Sequence, residues 1–254
     1  MPSSDDHALA ARVAGRAGAL LLEVREGTEG GESAILGADG DRRAHELIIG
    51  ALRQERPQDA VLSEEAVPPR EAGPADGRHG ARRIWIVDPL DGTREFSEGR
   101  ADFAVHVALV ESGVPVAGAV ALPGEDVVLA TADPPSLPPR GERRLRILVS
   151  RTRPPAEAAI LAARLDADLV PMGSAGFKAM AVVRGNGDIY VHAGGQYEWD
   201  SAAPVAVARA AGVHASRLDG SALTYDQHDP WLPDLLICRA ELVDEVLSAI
   251  QGGP

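Results

Sequence analysis

The sequence predicts a layered α/β or α+β protein, and three observations carry that reading. Two amphipathic helical segments open the chain, residues 103–132 alternate as an antiparallel meander, and beyond residue 145 strand-like and helix-like segments alternate. With 254 residues, 45% apolar and 25% charged, the chain can bury one large core or two smaller ones. The stretch DPPSLPPRGERR, residues 133–144, holds four prolines and no periodicity. It marks an expected boundary between an N-terminal half, 1–135, and a C-terminal half, 145–254.

The elements follow in order. Asp5 or Asp6 can cap a first helix in which Leu9, Val13, Ala17, Leu20, Leu21 and Val24 recur at helical spacing. GTEGGESAILGADG reads as an exposed Gly-rich turn, and a second helix is expected from about Asp41 to Arg56, ended by Pro57. A short strand, AVLSEE, precedes a Pro- and Gly-rich surface loop at 66–81. RRIWIVDPL is apolar and β-branched enough for a buried strand, and a Glu-Ser-Gly turn joins the first two strands of the meander. After the boundary come LRILVS, the helix PPAEAAILAARL, ADLVPM, FKAMAVVRG, DIYVHA, a helix beginning near Asp200, VHASRL, LLICR and a closing helix, AELVDEVLSAI.

Composition excludes several functional classes. A net charge of −13 without a basic patch repels nucleic-acid polymers. No apolar run approaches the roughly 20 residues that span a bilayer, and the acidic start MPSSDDHALA lacks a basic leader, so a cytoplasmic protein without membrane association is expected. The single cysteine, Cys238, lies in an apolar run and reads as a core thiol. Among 25 basic residues the only lysine is Lys178.

Three acidic clusters stand where open sheets place their sites: Ser63-Glu64-Glu65 at one strand end, Asp88-Pro89-Leu90-Asp91-Gly92-Thr93 at the next, and Glu198-Trp199-Asp200-Ser201 at the mouth of a helix. In the second, Pro89 fixes the exit from the strand and Gly92 relieves the backbone, so Asp88 and Asp91 can face one point while the Gly92 and Thr93 amides offer an anion site. Two carboxylates about 4 Å apart repel by about 1 kcal/mol in water and about 4 kcal/mol at an effective dielectric of 20, so such a cluster requires a cation. All-oxygen ligands select Mg²⁺, with Mn²⁺ as a substitute.

WIVDPLDGTREF, with SEE upstream and EWDSAAP downstream, resembles the inositol monophosphatase superfamily of metal-dependent, lithium-sensitive phosphatases over nearly the whole chain. The resemblance implies a five-layered αβαβα sandwich with two or three Mg²⁺ ions. By position, Glu64 and the Leu90 carbonyl would bind the first metal, Asp88 would bridge two, and Asp91 with Asp200 would complete the second. Asp41 matches the acid that opens the second helix and pairs with the Thr93 hydroxyl, so that Asp41, Glu64 and Thr93 form the catalytic group that activates water. A small phosphorylated substrate is implied, and assembly as a homodimer is left open.

The haloacid-dehalogenase phosphatases offer a rival motif, D-x-D-G-T. Here the aspartates are three apart, and residues i and i+3 of a strand do not share a face. Within the superfamily, the second half resembles the CysQ-type nucleotidase branch. Ser150-Arg151-Thr152-Arg153 stands where that branch has Ser-Arg-Ser-His, and Arg153 can still grip a second phosphate bidentately. Gly173-Ser174 with Lys178 matches a segment that approaches substrate, so Gly92, Thr93, Ser150, Arg153, Ser174, Lys178 and Asp200 are the expected substrate contacts. The Ala-Pro at 203–204 is nucleotidase-like, and Ala193 replaces the glutamate that holds inositol hydroxyls. The implied reaction removes the 3'-phosphate of 3'-phosphoadenosine 5'-phosphate; inositol phosphate, fructose 1,6-bisphosphate and a non-catalytic sensor role are the alternatives. Tyr197, Tyr225 and Trp231 are candidates to border a base, and His106, on an alternating strand, reads as structural.

Overall fold

Strand alternation generates the layers. In the strand Arg83–Asp91, Ile84 and Ile86 pack with one apolar cluster while Trp85 and Val87 pack with another, and all four are buried. The computed structural model, which describes residues 2–27, 33–66 and 81–252, contains two five-stranded sheets, both covered on each face.

The first sheet comprises β1 (Ala60–Ser63), β2 (Arg83–Asp91), β3 (Ala104–Glu111), β4 (Val114–Leu122) and β5 (Val127–Ala130), in that spatial order. β1 is parallel to β2, and the remaining pairs form the expected antiparallel meander. α1 (Ser4–Gly27) and α2 (Ser33–Glu55) cover its outer face. The second sheet has the order β7-β6-β8-β10-β9, built from β6 (Arg146–Ser150), β7 (Asp168–Met172), β8 (Ile189–Tyr197), β9 (His214–Ser216) and β10 (Trp231–Cys238). α4 (Ala156–Arg164) and α7 (Val243–Gln251) cover its outer face, where Cys238 is a core thiol whose pKa burial pushes up to about 12. Between the sheets lie α5 (Ala175–Val183) and α6 (Glu198–Ala210), completing five layers, αβαβα. A five-residue helix, α3 (Thr93–Ser97), follows β2.

The middle layer touches both sheets, so its side chains are small. Ala202, Ala203, Ala206 and Ala208 are buried along α6, and a Cβ on Gly118 of β4 would lie 3.0 Å from the Ala206 Cβ. The two cores thus meet across one helix pair.

Two expected boundaries shift, for identifiable reasons. α2 begins at Ser33 rather than Asp41, because the glycines taken for a turn are packing positions inside the helix. A Cβ on Gly37 would come within 2.7 Å of Ser97 Oγ and 2.8 Å of Thr93 Cγ2, and one on Gly40 within 3.0 Å of the Phe96 ring. Asp41 therefore sits inside the helix, facing the α3 side, and does not open it. At α1 the cap is Ser3: its hydroxyl accepts from the Asp6 amide at 3.2 Å while Asp6 accepts from the Ser3 amide at 2.8 Å, a reciprocal capping box. The remainder of the Gly-rich turn, 28–32, and residues 67–80 of the expected surface loop lie outside the described residues.

Close α6–β4 packing predicts that Gly118→Val overpacks the middle layer and costs about 1–3 kcal/mol. Urea denaturation should show a lowered midpoint; an unchanged midpoint would contradict the packing.

Candidate active site

The parallel pairing of β1 and β2 brings Ser63 opposite Val87, so Glu64 leaves β1 next to the position of Asp88 in β2. Pro89 then interrupts the β2–β3 register, which shifts between Asp88 and Asp91, and Asp88 Oδ1 accepts from the Leu90 amide at 3.0 Å. Gly92 turns the chain at φ +92°, a conformation that disfavours any side chain, into α3. From the other half of the chain, Asp200 arrives in the first turn of α6, where it accepts from the Tyr197 amide at 2.6 Å and closes that helix's N-terminus.

These turns converge. Among the described residues, Asp88, Asp91 and Asp200 each offer a carboxylate oxygen within 4.8 Å of the others. Asp88 is fully buried, and burial with Glu64, Asp91, Asp200 and Asp41 around it raises its carboxyl well above the usual range. Burial and Asp91 push Asp200 up to about 6. Asp41 reaches about 7 through burial and the charge of Glu65, and its Oδ1 has no hydrogen-bond partner. Glu64 stands at the open rim outside the tight triad; the cleft wall that shields its carboxyl and the acids Asp41, Asp200, Asp91 and Glu65 push it up to about 8.

Asp91 behaves differently. Burial alone would raise its carboxyl, but its partners hold it well below the usual range. Oδ2 accepts from Ser174 Oγ at 2.5 Å and the Gly176 amide at 2.6 Å and lies 3.2 Å from His106 Nε2; Oδ1 accepts from the Ala175 amide at 3.1 Å. The N-terminus of α5 thus supports one member of the triad. His106 is fully buried, and although burial works against its cation, Asp91 and the Trp199 carbonyl raise its pKa.

A cavity of about 580 Å³ opens beside Asp91 and Asp200. Of the expected contacts, Gly92, Thr93, Ser150, Arg153, Ser174, Lys178 and Asp200 all line it. The Lys178 ammonium is buried, donates to the carbonyls of Gly173, at 3.1 Å, and Ser174, and is pushed down to about 8 by burial. Arg151, by pairing with Glu95 at 2.9 Å and Glu98 at 2.8 Å, ties the Ser150–Arg153 turn to the α3 region on the opposite wall.

Several expectations are corrected. Thr93 Oγ1 donates to the Leu90 carbonyl at 3.1 Å, so the implied hydroxyl pairing with Asp41 is not formed. Tyr225 is buried and bonded to Ser201 Oγ at 3.1 Å, while Tyr197 and Trp231 face solvent; none of the three lines the cavity. Tyr190 is fully buried behind the cavity, its ring 5.2 Å from the Lys178 ammonium, and His192 and Glu95 border the space. His106 was a legible signal: the β3 positions that join the middle-layer core, Ala104, Ala108 and Val110, are otherwise apolar.

The residues fit a divalent cation. Three mutually close, oxygen-only ligands, two buried and one partly so, one held ionised and two pushed toward protonation by burial and by their neighbours' charge, form a set that a hard cation neutralises. No helix among the described residues is long and apolar enough to cross a membrane.

Comparison with known proteins agrees with this geometry. Residues 7–250 match the inositol monophosphatase family. A Mycobacterium leprae protein named 3'-phosphoadenosine 5'-phosphate phosphatase is 49% identical, across 97% of this chain and 93% of its own length. The Escherichia coli protein named 3'(2'),5'-bisphosphate nucleotidase CysQ is 32% identical, across 87% of this chain and 94% of its own length. The crystal structure of CysQ from Bacteroides thetaiotaomicron superposes with a TM-score of 0.80 at 26% identity, covering 93% of this chain and 97% of that one. Sequence and layers agree, and the chain belongs to the inositol monophosphatase family.

Proposed function

We propose that the protein is a Mg²⁺-dependent phosphomonoesterase of the cytoplasm that removes the 3'-phosphate of 3'-phosphoadenosine 5'-phosphate, giving AMP and phosphate. The observation that carries the reading is a cavity lined both by Asp91 and Asp200, two members of the acid triad, and by Arg153, with the buried Lys178 beside it. A bisphosphate meets that polarity: one phosphate belongs at the cation site and the other within reach of Arg153. The name carried by relatives 49–51% identical to this chain supports the same substrate.

Asp88, Asp91 and Asp200, with Glu64 and the Leu90 carbonyl, are the groups that would hold two or three Mg²⁺ ions. When bound, the cations supply positive charge to the phosphoryl oxygens and acidify water. The chain's own residues do the rest. Gly92 and Thr93 border the reacting phosphate, and the Leu90 carbonyl orients the Thr93 hydroxyl. Asp41, buried and with an unpartnered Oδ1, is poised near neutrality to accept a proton from the attacking water. Ser150 accepts from the Arg153 amide at 3.2 Å, which shapes the turn that presents the guanidinium.

Phosphate-release assays test the reading directly. The adenine bisphosphate should turn over at least about tenfold faster than inositol 1-phosphate or fructose 1,6-bisphosphate, and a chelator should abolish release; equal turnover of all three would contradict the substrate. Arg153→Ala removes a charged phosphate contact of about 1.5–3 kcal/mol. It should raise KM for the bisphosphate about 10- to 100-fold and leave KM for inositol 1-phosphate unchanged.

The electrostatics make two further predictions. Burial and its neighbours oppose ionisation of Asp88 in the metal-free protein, so at alkaline pH, where that carboxyl is driven toward its charged form, Asp88→Asn should raise the metal-free Tm by about 2–4 °C, the shift that about 1 kcal/mol produces in a domain this size, while lowering kcat by about 10²-fold or more. A carboxyl whose pKa is raised on folding binds more protons folded than unfolded between its two pKa values, so stability falls as pH rises through that interval. With Asp200, Asp41 and Glu64 at about 6, 7 and 8 and unfolded acids near about 4, metal-free Tm should fall between about pH 4 and pH 8. Mg²⁺ should flatten that slope in scanning calorimetry; a flat metal-free profile would contradict the assignment.

A further inference from the structure

His106 has a geometry that ordinary core packing does not require. It faces Asp88 across the β2–β3 ladder, on the side of β3 that joins the middle layer, and it is fully buried. Its Nδ1 lies 2.9 Å from the Trp199 carbonyl; a carbonyl only accepts, so Nδ1 carries the proton and the ring orientation is fixed. That orientation aims Nε2 at Asp91, 3.2 Å from Oδ2. Space for the ring exists only because residue 176 is glycine: a Cβ there would lie 1.9 Å from Nε2. The Gly176 amide donates to the same Asp91 oxygen, so the ring and the N-terminus of α5 converge on one atom.

The imidazole therefore links two ligand-bearing segments that are distant in sequence. One edge touches Asp91 at the end of β2; the other holds the peptide carbonyl of Trp199, the residue directly before Asp200. We infer that His106 is a positioning residue that sets the spacing between Asp91 and Asp200, and thereby the site's affinity for a divalent cation. It does so through Asp91 and through the first turn of α6, without itself ligating metal. Outer contacts of this kind commonly change metal affinity about 10- to 100-fold. This inference deepens the proposed function and rests on its claim that Asp91 and Asp200 hold metal.

The test is Mn²⁺ binding by isothermal titration calorimetry, with Tm measured in parallel, on the wild-type protein and four variants. His106→Ala removes both contacts, His106→Asn can keep a donor near the Trp199 carbonyl, and His106→Gln can keep one near Asp91. Gly176→Ala displaces an intact ring. His106→Ala and Gly176→Ala should weaken Mn²⁺ binding about tenfold or more. The two amide variants should fall between alanine and wild type. Should His106→Ala fail to fold, Gly176→Ala and the amides carry the same comparison. Folded variants that bind Mn²⁺ like the wild type, whatever their loss of Tm, would overturn the inference and leave His106 a packing residue. A wild-type protein that binds no Mn²⁺ would instead overturn the metal reading beneath it.

Discussion

Repulsion among Asp88, Asp91 and Asp200 governs this site. The chain carries two of these acids to the end of one sheet and the third in on a helix packed between both sheets, bringing their carboxylates within 4.8 Å of one another with the first two buried. At an effective dielectric of 20, two charges about 4 Å apart oppose each other by about 4 kcal/mol. The fold resolves part of this internally. It surrounds Asp91 with the Ser174 hydroxyl, two α5 amides and His106, while Asp88 and Asp200 are left with raised pKa values. Such asymmetry suits a cation site: one anchored anion fixes the geometry, and the others become ionised when a cation arrives.

The five layers serve that convergence. An acid triad drawn from β2 and α6 needs those elements held rigidly, and α6 achieves this by being buried against both sheets. Its alanines and Gly118 allow the approach, since larger side chains would separate the layers and move Asp200 away from Asp88. Ties across the cavity reinforce the arrangement. Arg151 spans from the end of β6 to Glu95 and Glu98, and the Gly173 amide donates to Asp102 at 2.7 Å. The basic wall is thereby fixed relative to the acidic floor.

Much of this was legible in the sequence where a residue's chemistry leaves little choice. Two aspartates around Pro89, followed by glycine, specify a turn at a strand end, and strand alternation placed β2 through β5 and the second sheet. Legibility failed where one residue type serves two physical purposes. Gly37 and Gly40 look like turn residues, yet they lie inside α2 so that α3 can pack against it. Tyr225 and Trp231 look like base-stacking residues; one closes a buried hydrogen bond and the other faces solvent, away from the cavity. The family resemblance implies an Asp41–Thr93 pairing, but local geometry directs the Thr93 hydroxyl to the Leu90 carbonyl.

Crystals of the full chain grown with Mn²⁺ and measured for anomalous scattering would test the central claim most directly. The account predicts density at bonding distance, about 2.0–2.2 Å, from carboxylate oxygens of Asp88, Asp91 and Asp200. A map with no peak there, or with manganese bound only elsewhere on the acidic surface, would contradict it.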